Sequence, residues 1–467
     1  MSFARGLAVM FAVGLLAGCA VGPDYERPEF DVAASYKEGG DWKPSEPNDV
    51  LSRGPWWRIY NDDVLDGLEK RIEISNLNVR AAAHAVEESR ALVSQARAGF
   101  WPTITGTASR PRTTTNPAGA GAVHRTQNEA GLGGVWSLDI WGQIRRSTQS
   151  QEAGFQASEA ALAAARLSAQ AQLATTYFEL RGQDHLQSLL DATVAAQQES
   201  FRITESRYKF GVAARADVVS AQTQLLSSQA QQTNAAIQRA LLEHAIAVLV
   251  GEEPAKFSLS PAPLRTDVPT VLAGVPSTLL ERRPDIAEAE RRVASASAQI
   301  GVARAAFFPS LSITGSDDYT GDTIGNLIRA SNRVWAFGPE LALTLFDGGL
   351  RRAQAKQARA EFDVSVDDYR QTVLSAFQQV EDQIVTLRVL EKQSSIVEAT
   401  VAAAREAETL TLNQYKGGTV PYSSVISAQT TRLSSEITAL DVLLDRLSAS
   451  VTMIEAVGGG WSAAELK

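Results

Sequence analysis

Two long stretches of the chain contain no proline, and this feature constrains the possible fold most strongly. They run from Gln143 to Tyr208 and from Leu350 to Tyr415. At 1.5 Å per residue, a helix of roughly 65 residues spans about 100 Å, far more than a helix of a globular domain. Apolar residues spaced seven positions apart predict that these helices pack against neighbours as coiled coils. Two such series are Val366, Val373, Val380 and Leu387, and Ile426, Leu433, Leu440 and Leu447.

The two stretches belong to an internal repeat with an offset of 207 residues. Ala96 to Pro102 (ARAGFWP) matches Ala303 to Pro309 (ARAAFFP), and Tyr208-Lys209 matches Tyr415-Lys416. Sequence repeated at a fixed offset indicates repeated structure. The predicted division is a signal peptide at 1–18, a lipidated segment at 19–61, a first repeat at 62–251, a proline-rich linker at 252–280, a second repeat at 281–457 and a C-terminal tail at 458–467.

Each repeat also predicts a shorter helix followed by paired strands. The alanine-rich stretches 77–98 and 286–305 end before a proline, which lacks the N–H group that a helix needs. Alternation of apolar with small or polar residues then predicts strands with two different faces. The apolar set is Trp136, Leu138 and Ile140 in the first repeat, and Trp335, Phe337, Leu341, Leu343 and Leu345 in the second. Glycine-rich turns at 116–121 and 321–326 predict one hairpin per repeat.

The N-terminus predicts export and lipid attachment. Arg5 precedes a short apolar run, which is typical of a secretory signal and too short for a transmembrane helix. The sequence Leu16-Ala17-Gly18-Cys19 is similar to a bacterial lipobox, so Cys19 is expected to carry diacylglycerol and an N-acyl chain. Ala20 follows instead of the aspartate that favours inner-membrane retention in such lipoproteins, which favours the outer membrane.

The strands predict a membrane barrel made from several copies of the chain. Four strands cannot close a barrel with a useful lumen, and open sheet edges cannot face lipid. Apolar residues alternating with polar ones are typical of barrels whose apolar side faces lipid. An aromatic belt at the membrane interface is predicted from Phe100, Trp101, Phe307, Phe308 and Trp335.

The composition excludes several function classes. A net charge of −9 disfavours nucleic-acid binding, which requires a basic surface. The sequence contains no G-x-S-x-G, P-loop, CxxC, H-E-x-x-H or dinucleotide-binding motif, and its four histidines are dispersed. We therefore expect no catalytic residues, no metal site and no cofactor apart from the lipid on Cys19.

Five motifs in a fixed order carry a resemblance to a known family. The chain resembles TolC-like outer-membrane efflux factors, in their lipoprotein branch, over nearly its whole length. This implies an α+β membrane protein: a homotrimer whose twelve-stranded β-barrel, with four strands per chain, continues as a long α-helical barrel through the periplasm. It also implies a passive duct for drugs, metals or similar small molecules, docked to a periplasmic adaptor and an inner-membrane pump of the resistance–nodulation–division type. The motifs are Cys19–Tyr25 with Arg27-Pro28, Trp56–Asp62, Leu280–Ile286, Leu345–Gly349 and Gly458–Trp461.

The resemblance also implies a gate at the periplasmic ends of the long helices. Glycine suits a helix end because it accepts left-handed geometry, so turns are expected at Gly211 and Gly418. Ser427 stands where many relatives carry an acidic residue. The alternative is that the two tyrosines only pack the turns. The gate and adaptor candidates are Arg207, Tyr208, Gly211, Asp217, Tyr415, Lys416 and Gly418.

One functional alternative remains at this stage, a non-conducting structural or adaptor lipoprotein of the cell envelope. An adaptor would be expected to carry one helical hairpin beside compact β-domains. Two hairpins at an offset of 207 residues favour the duct.

Overall fold

The computed structural model describes residues 20–30, 33, 35–39, 55–116, 119, 122–269 and 280–466. The predicted signal peptide at 1–18 and the lipidation site Cys19 lie outside these residues, as do most of the turn at 116–121 and the linker residues 270–279.

The two long helices are present, as their lack of proline predicts. Helices α3 and α6 each contain 67 residues and end one residue beyond the predicted tyrosine. The helices of the described residues are α1 (Asp63–Ser75), α2 (Leu77–Ala98), α3 (Gln143–Lys209), α4 (Arg215–Leu249), α5 (Pro284–Ala305), α6 (Leu350–Lys416) and α7 (Tyr422–Ala456).

The helices recur with the offset seen in the sequence. Helices α5, α6 and α7 begin 207 residues after α2, α3 and α4 (284 − 77, 350 − 143 and 422 − 215). The paired helices have equal lengths of 22, 67 and 35 residues.

One compact unit, made of residues up to 30, 85–159 and 288–370, contains the β-structure. Its antiparallel sheet has the strand order β1-β4-β5-β6, so one predicted hairpin comes from each repeat. Strands β2 and β3, which the sequence analysis did not foresee, pair as a separate ribbon. The strands are β1 (Thr103–Ser109), β2 (Arg112–Thr115), β3 (Val123–Thr126), β4 (Asn128–Leu138), β5 (Ser310–Gly321) and β6 (Arg333–Ala342).

The predicted strands were too long at their ends. Ile140 lies beyond the end of β4, and Leu343 and Leu345 lie beyond the end of β6. In the first repeat, the Asp139 carboxylate accepts hydrogen bonds from the backbone N–H groups of Ile144 and Arg145 at 2.8 and 2.9 Å. The Asp347 carboxylate has the same role at the start of α6. The chain leaves the sheet because these carboxylates satisfy N–H groups that a helix start leaves without partners.

The other compact unit, made of residues 31–84, 160–287 and 371–467, contains the largest apolar core. The seven-residue series contributes to it, since Val380, Leu440 and Leu447 are buried there. Trp56 and Trp57, from the predicted Trp56–Asp62 motif, pack edge to face in the same core. The series therefore mark a buried helix face, as predicted.

Contacts in this unit also recur after 207 residues. Asn76 Nδ2 donates to the Leu249 carbonyl at 2.7 Å, and Arg283 Nη1 donates to the Ala456 carbonyl at 2.9 Å. Gly251 and Gly458 have φ angles of +70° and +92°, and an added Cβ would collide with the carbonyl oxygens of Ser75 and Arg282. Both glycines are therefore required by conformation and by space.

The segment that precedes each repeat binds the long helix of the other repeat. Before the second repeat, the Ser260 carbonyl accepts a hydrogen bond from Arg181 of α3 at 2.9 Å. Before the first repeat, the Glu38 carbonyl accepts one from Arg388 of α6 at 3.1 Å. Arg388 follows Arg181 by 207 residues, so one contact is made twice. We call these two contacts the leader clamps.

Helix α1 buries a carboxyl group without a visible partner. Glu69 is 0% exposed, and neither of its oxygens has a hydrogen-bond partner among the described residues. Burial, together with the nearby charge of Glu73, raises the pKa of Glu69 well above 4.5. Since the unfolded chain ionises first as the pH rises, the stability that this group removes increases from its unfolded pKa to its folded pKa and is lost in full above that.

We expect Glu69→Gln to stabilise the protein above about pH 5 and to leave its stability unchanged below pH 4. The gain should be about 1.4 kcal/mol for each pH unit between the two pKa values. Unfolding in detergent at a series of pH values measures it. Glu88→Gln, at an exposed position of α2, is the control, and a parallel shift at every pH would contradict the assignment.

Candidate functional site

Both long helices end in the same backbone motif. The N–H of Gly211 donates to the Tyr208 carbonyl at 2.9 Å, and that of Val212 donates to the Arg207 carbonyl at 2.8 Å. Gly418 and Thr419 repeat these bonds after α6. The φ angles of Gly211 and Gly418 are +69° and +76°. This is the Schellman ending, in which glycine reverses the chain, so both predicted turns are formed.

Arg207 connects the two helix ends. Its Nη1 donates to the Lys416 carbonyl at 2.9 Å, and its guanidinium lies 4.9 Å from the centre of the Tyr415 ring. A guanidinium over an aromatic face is attracted by the negative charge of the ring face. Arg207 therefore joins the end of α3 to the end of α6.

Tyr208 and Tyr415 are equivalent in sequence but not in environment. Tyr415 is 4% exposed, donates to Thr204 Oγ1 at 3.3 Å and packs edge to face on Tyr422. Tyr208 is 41% exposed, and Arg215 lies over its ring at 5.8 Å. Tyr415 therefore packs within the chain, whereas the ring of Tyr208 lies partly exposed on its surface.

The Asp217 side chain caps the start of α4. Its Oδ2 accepts a hydrogen bond from the Ala214 backbone N–H at 3.4 Å. Burial, with smaller contributions from Tyr415 and Asp217, raises the pKa of Tyr422 to about 12. The side chain of Asp217 thus lies near the buried tyrosines, and its hydrogen bond is to the backbone at the start of its own helix.

A row of polar side chains near these ends was missed from the sequence. Thr193, Gln197, Ser200 and Thr204 of α3 are between 0 and 3% exposed. Their intervals of four, three and four residues are those of a coiled-coil seam, which was the available signal. We call these residues, with Gln429 and Arg432 of α7, the polar seam.

The four-stranded sheet has two chemically different faces. The strand register places Ile104, Leu132, Trp136 and Ile313 on the face that also carries Trp335, Phe337 and Leu341. The opposite face carries hydroxyl groups and three carboxylates. The hydroxyl and carboxylate side chains are those of Thr103, Thr105, Thr107, Ser109, Glu129, Ser137, Ser310, Ser312, Thr314, Ser316, Asp318, Thr320 and Glu340. Val135 and Val334 also lie on this face. The charged pair on the apolar face, Asp317 and Arg333, is bidentate at 2.7 and 2.9 Å.

The predicted belt residues lie towards both ends of the strands. Trp101 is 74% exposed just before β1, and Phe307 and Phe308 are 40% exposed just before β5. Phe100, which is partly buried, accepts a hydrogen bond through its carbonyl from Trp136 Nε1 at 2.9 Å. Trp335 is 67% exposed near the start of β6, towards the opposite end of the sheet.

The described residues contain no group of three or more histidine, cysteine or acidic side chains placed to hold a metal ion. None of their helices combines the length and the apolar character needed to span a bilayer.

Comparison with known proteins identifies the family. The sequence model for outer membrane efflux proteins matches residues 69–252 and again residues 275–459. The chain belongs to the outer membrane efflux protein family. The predicted resemblance is therefore confirmed, and the two matches coincide with the two halves of the chain.

Relatives cover nearly the whole length of the chain. The chain is 30% identical to the solvent efflux pump outer membrane protein SrpC of Pseudomonas putida, over 98% of each chain. It is 29% identical to the probable efflux pump outer membrane protein TtgC of the same species, over 97% of this chain and 95% of that one. The outer-membrane channel OprN has a TM-score of 0.85 and 29% identity, covering 95% of this chain and 100% of that structure.

The protein is thus an outer-membrane efflux channel that extends into the periplasm. Its family consists of passive channels rather than enzymes. The protein is the outer-membrane component of a pump with periplasmic and inner-membrane parts.

We expect Arg207→Ala to loosen the contact between the two helix ends. A lost hydrogen bond and cation–π contact amount to about 1–2 kcal/mol, and every 1.4 kcal/mol shifts an open-to-closed ratio about tenfold. Single-channel recording should show a higher conductance or open fraction with an unchanged amount of folded protein.

The matched control is Arg202→Ala. Arg202 lies five residues earlier on α3 and pairs with Glu199 of its own helix. If both variants show the same conductance and open fraction, Arg207 contributes to packing alone.

Proposed function

We propose that three copies of this chain form one passive export duct for small molecules. The single observation that carries the proposal is the two-faced, four-stranded sheet in a chain of this family. Its apolar face suits lipid, and its hydroxyl face suits an aqueous lumen. One sheet of four strands has two open edges, β1 and β6, which lipid does not tolerate.

Joining edge strands between copies removes this problem. Three copies would give a closed barrel of twelve strands, with Trp101, Phe307, Phe308 and Trp335 at its interfaces with water. The equal helix lengths and the 207-residue offset support an internal duplication, so that the periplasmic part of a trimer has sixfold pseudo-symmetry.

Exposed apolar residues on two helices support the same assembly. On α4, Val219, Leu226, Leu241 and Val248 are 47 to 65% exposed. On α6, Leu374, Val389, Ile396 and Leu410 are 53 to 65% exposed. Val219 and Leu226, Leu241 and Val248, and Val389 and Ile396 are each seven residues apart, which is the spacing of a coiled-coil seam. We propose that α4 of one copy packs on α6 of the next.

The remaining assignments complete this proposal. The helix ends at Arg207, Tyr208, Gly211, Asp217, Tyr415, Lys416 and Gly418 form the gate and contact a periplasmic adaptor, and the inner-membrane pump is of the resistance–nodulation–division type. Because SrpC is named for solvents, small organic molecules are the proposed cargo. Cys19 carries the lipid anchor, and no other cofactor is needed.

Purified protein in a planar bilayer should conduct ions, which separates a duct from a non-conducting structural or adaptor lipoprotein. Folded trimers that insert into the bilayer but conduct no current would contradict the proposal.

A pair of arginine variants tests the faces of the sheet in the same recordings. Leu132→Arg, on the apolar face, should cost about 2–4 kcal/mol near the middle of the membrane and reduce insertion. Ser316→Arg, on the hydroxyl face, should insert normally and change the conductance. The opposite pattern would invert the assignment of the faces.

Mass measurement in detergent should give three copies per particle. Val389→Lys combined with Ile396→Lys should lower the trimer fraction, because charges would replace apolar contacts between helices. Ser395→Lys, on an exposed position of the same helix, is the control. A trimer unaffected by the double variant would remove α6 from the interface.

Metabolic labelling with a fatty acid should tag the wild-type protein and leave Cys19→Ala untagged. Equal labelling of both would end the assignment of the anchor. The barrel is expected to insert in either case, because its apolar face does not depend on the lipid.

A further inference from the structure

The ribbon of β2 and β3 continues the first hairpin of the sheet without a change of register. In the sheet, Thr103 pairs with Val135. Nine residues further along the chain, Arg112 pairs with Thr126, which lies nine residues before Val135 (112 − 103 and 135 − 126). At the junction, the carbonyl of Pro111 accepts a hydrogen bond from the opposite strand at 3.1 Å. The two faces of the sheet can therefore be followed into the ribbon.

Basic side chains continue the apolar face. Successive side chains of a strand point to opposite faces, so residues an even number of positions apart share a face. Arg110 and Arg112 are thus on the face of Ile104. On the paired strand, His124 is on the face of Leu132, and its Nδ1 lies 2.8 Å from a threonine hydroxyl of β2. We call Arg110, Arg112 and His124 the basic rim.

The basic rim has no acidic residue beside it in the sequence. Residues 102–128 contain three arginines and one histidine but no aspartate or glutamate, although the net charge of the chain is −9. All three members of the rim are exposed. Asp317, the acidic residue that the register places on the apolar face of the described sheet, is already bound to Arg333 at 2.7 and 2.9 Å. The rim is therefore a positively charged edge above an apolar surface.

The distance along β1 places the rim at a membrane surface. A strand that crosses the hydrocarbon layer contains about 9–11 residues. Trp101, which is 74% exposed, lies just before β1 at the end of the sheet that leads to the helices. Arg110 and Arg112 follow it by 9 and 11 residues (110 − 101 and 112 − 101). Since the helices of this channel extend into the periplasm, the rim belongs at the outer surface, on the side that faces lipid.

We propose that the basic rim binds the phosphate groups of phosphorylated glycolipids in the outer leaflet of the outer membrane. An arginine guanidinium can donate two parallel hydrogen bonds to phosphate oxygens, and basic residues next to an apolar membrane surface are attracted to anionic headgroups. The inference rests on the proposed assignment of the apolar face to lipid, and it adds the class of headgroup that the barrel contacts. Lipid bound in this way would hold the barrel at a fixed height in the membrane.

Arg112 and Arg125 are a matched pair for the test. Both are exposed in the same ribbon, but Arg125 pairs with Thr113 and therefore lies on the opposite, hydroxyl face. Binding of diphosphoryl lipid A to the purified full-length protein in mild detergent is measured by native mass spectrometry. We expect binding to be about fivefold weaker in Arg112→Gln and about 25-fold weaker when Arg110→Gln is added, with no change in Arg125→Gln. Unchanged binding in the double variant would overturn the inference.

A second measurement varies the lipid instead of the protein. Lipid A without its two phosphates should bind the wild type about 25-fold more weakly, because it removes the same contacts as the double variant. Equal binding of the two lipids would show that the rim is only solvated and would overturn the inference. A loss of binding in Arg125→Gln alone would overturn both the inference and the assignment of the faces. Lipid binding does not require current, so a protein that binds as expected but does not conduct would count against the proposed duct alone.

Discussion

In a lipid bilayer, the unpaired edges of a β-sheet place the strongest physical constraint on a chain like this one. A backbone N–H or C=O group without a partner is costly where no water is present, so the sheet must be closed. The sheet of the described residues has four strands, which cannot satisfy this requirement alone. In the proposed ring of several chains, each chain would also supply a sector of the periplasmic wall. Helices of 67 residues would supply that sector without a break in backbone hydrogen bonding.

The sequence predicts the regular parts of the fold because they follow simple periodic rules. Absence of proline and spacings of seven gave the long helices and their buried faces, and alternation gave the sheet with its two faces. The strand ends at Ile140 and Leu343 were wrong, because alternation continues into residues whose neighbours Asp139 and Asp347 start helices. A local capping bond overrides a pattern that extends over many residues.

The candidate gate was harder to predict because sequence equivalence does not imply equivalent surroundings. Tyr208 and Tyr415 occupy the same place in the repeat, yet one is exposed and the other buried. The difference arises from contacts between the two repeats, such as Tyr415 with Thr204, which no pattern within one repeat reveals. The polar seam escaped for a related reason, since threonine, glutamine and serine at coiled-coil spacing read as a solvated face until α7 is placed against it. Buried polar residues at such positions lower the stability of a coiled coil and specify the register of its helices.

The leader clamps have a consequence for synthesis of the chain at the ribosome. Glu38 is made early, but its partner Arg388 emerges 350 residues later, when most of the second repeat has been translated. The first repeat likewise waits for Ser260, which lies outside it in the sequence. The first repeat therefore needs part of the linker, and the second repeat needs the segment that precedes the first. A gene truncated directly after residue 251 would encode a buried Arg181 that lacks the carbonyl it binds in the full chain, whereas one truncated after the linker would retain that carbonyl.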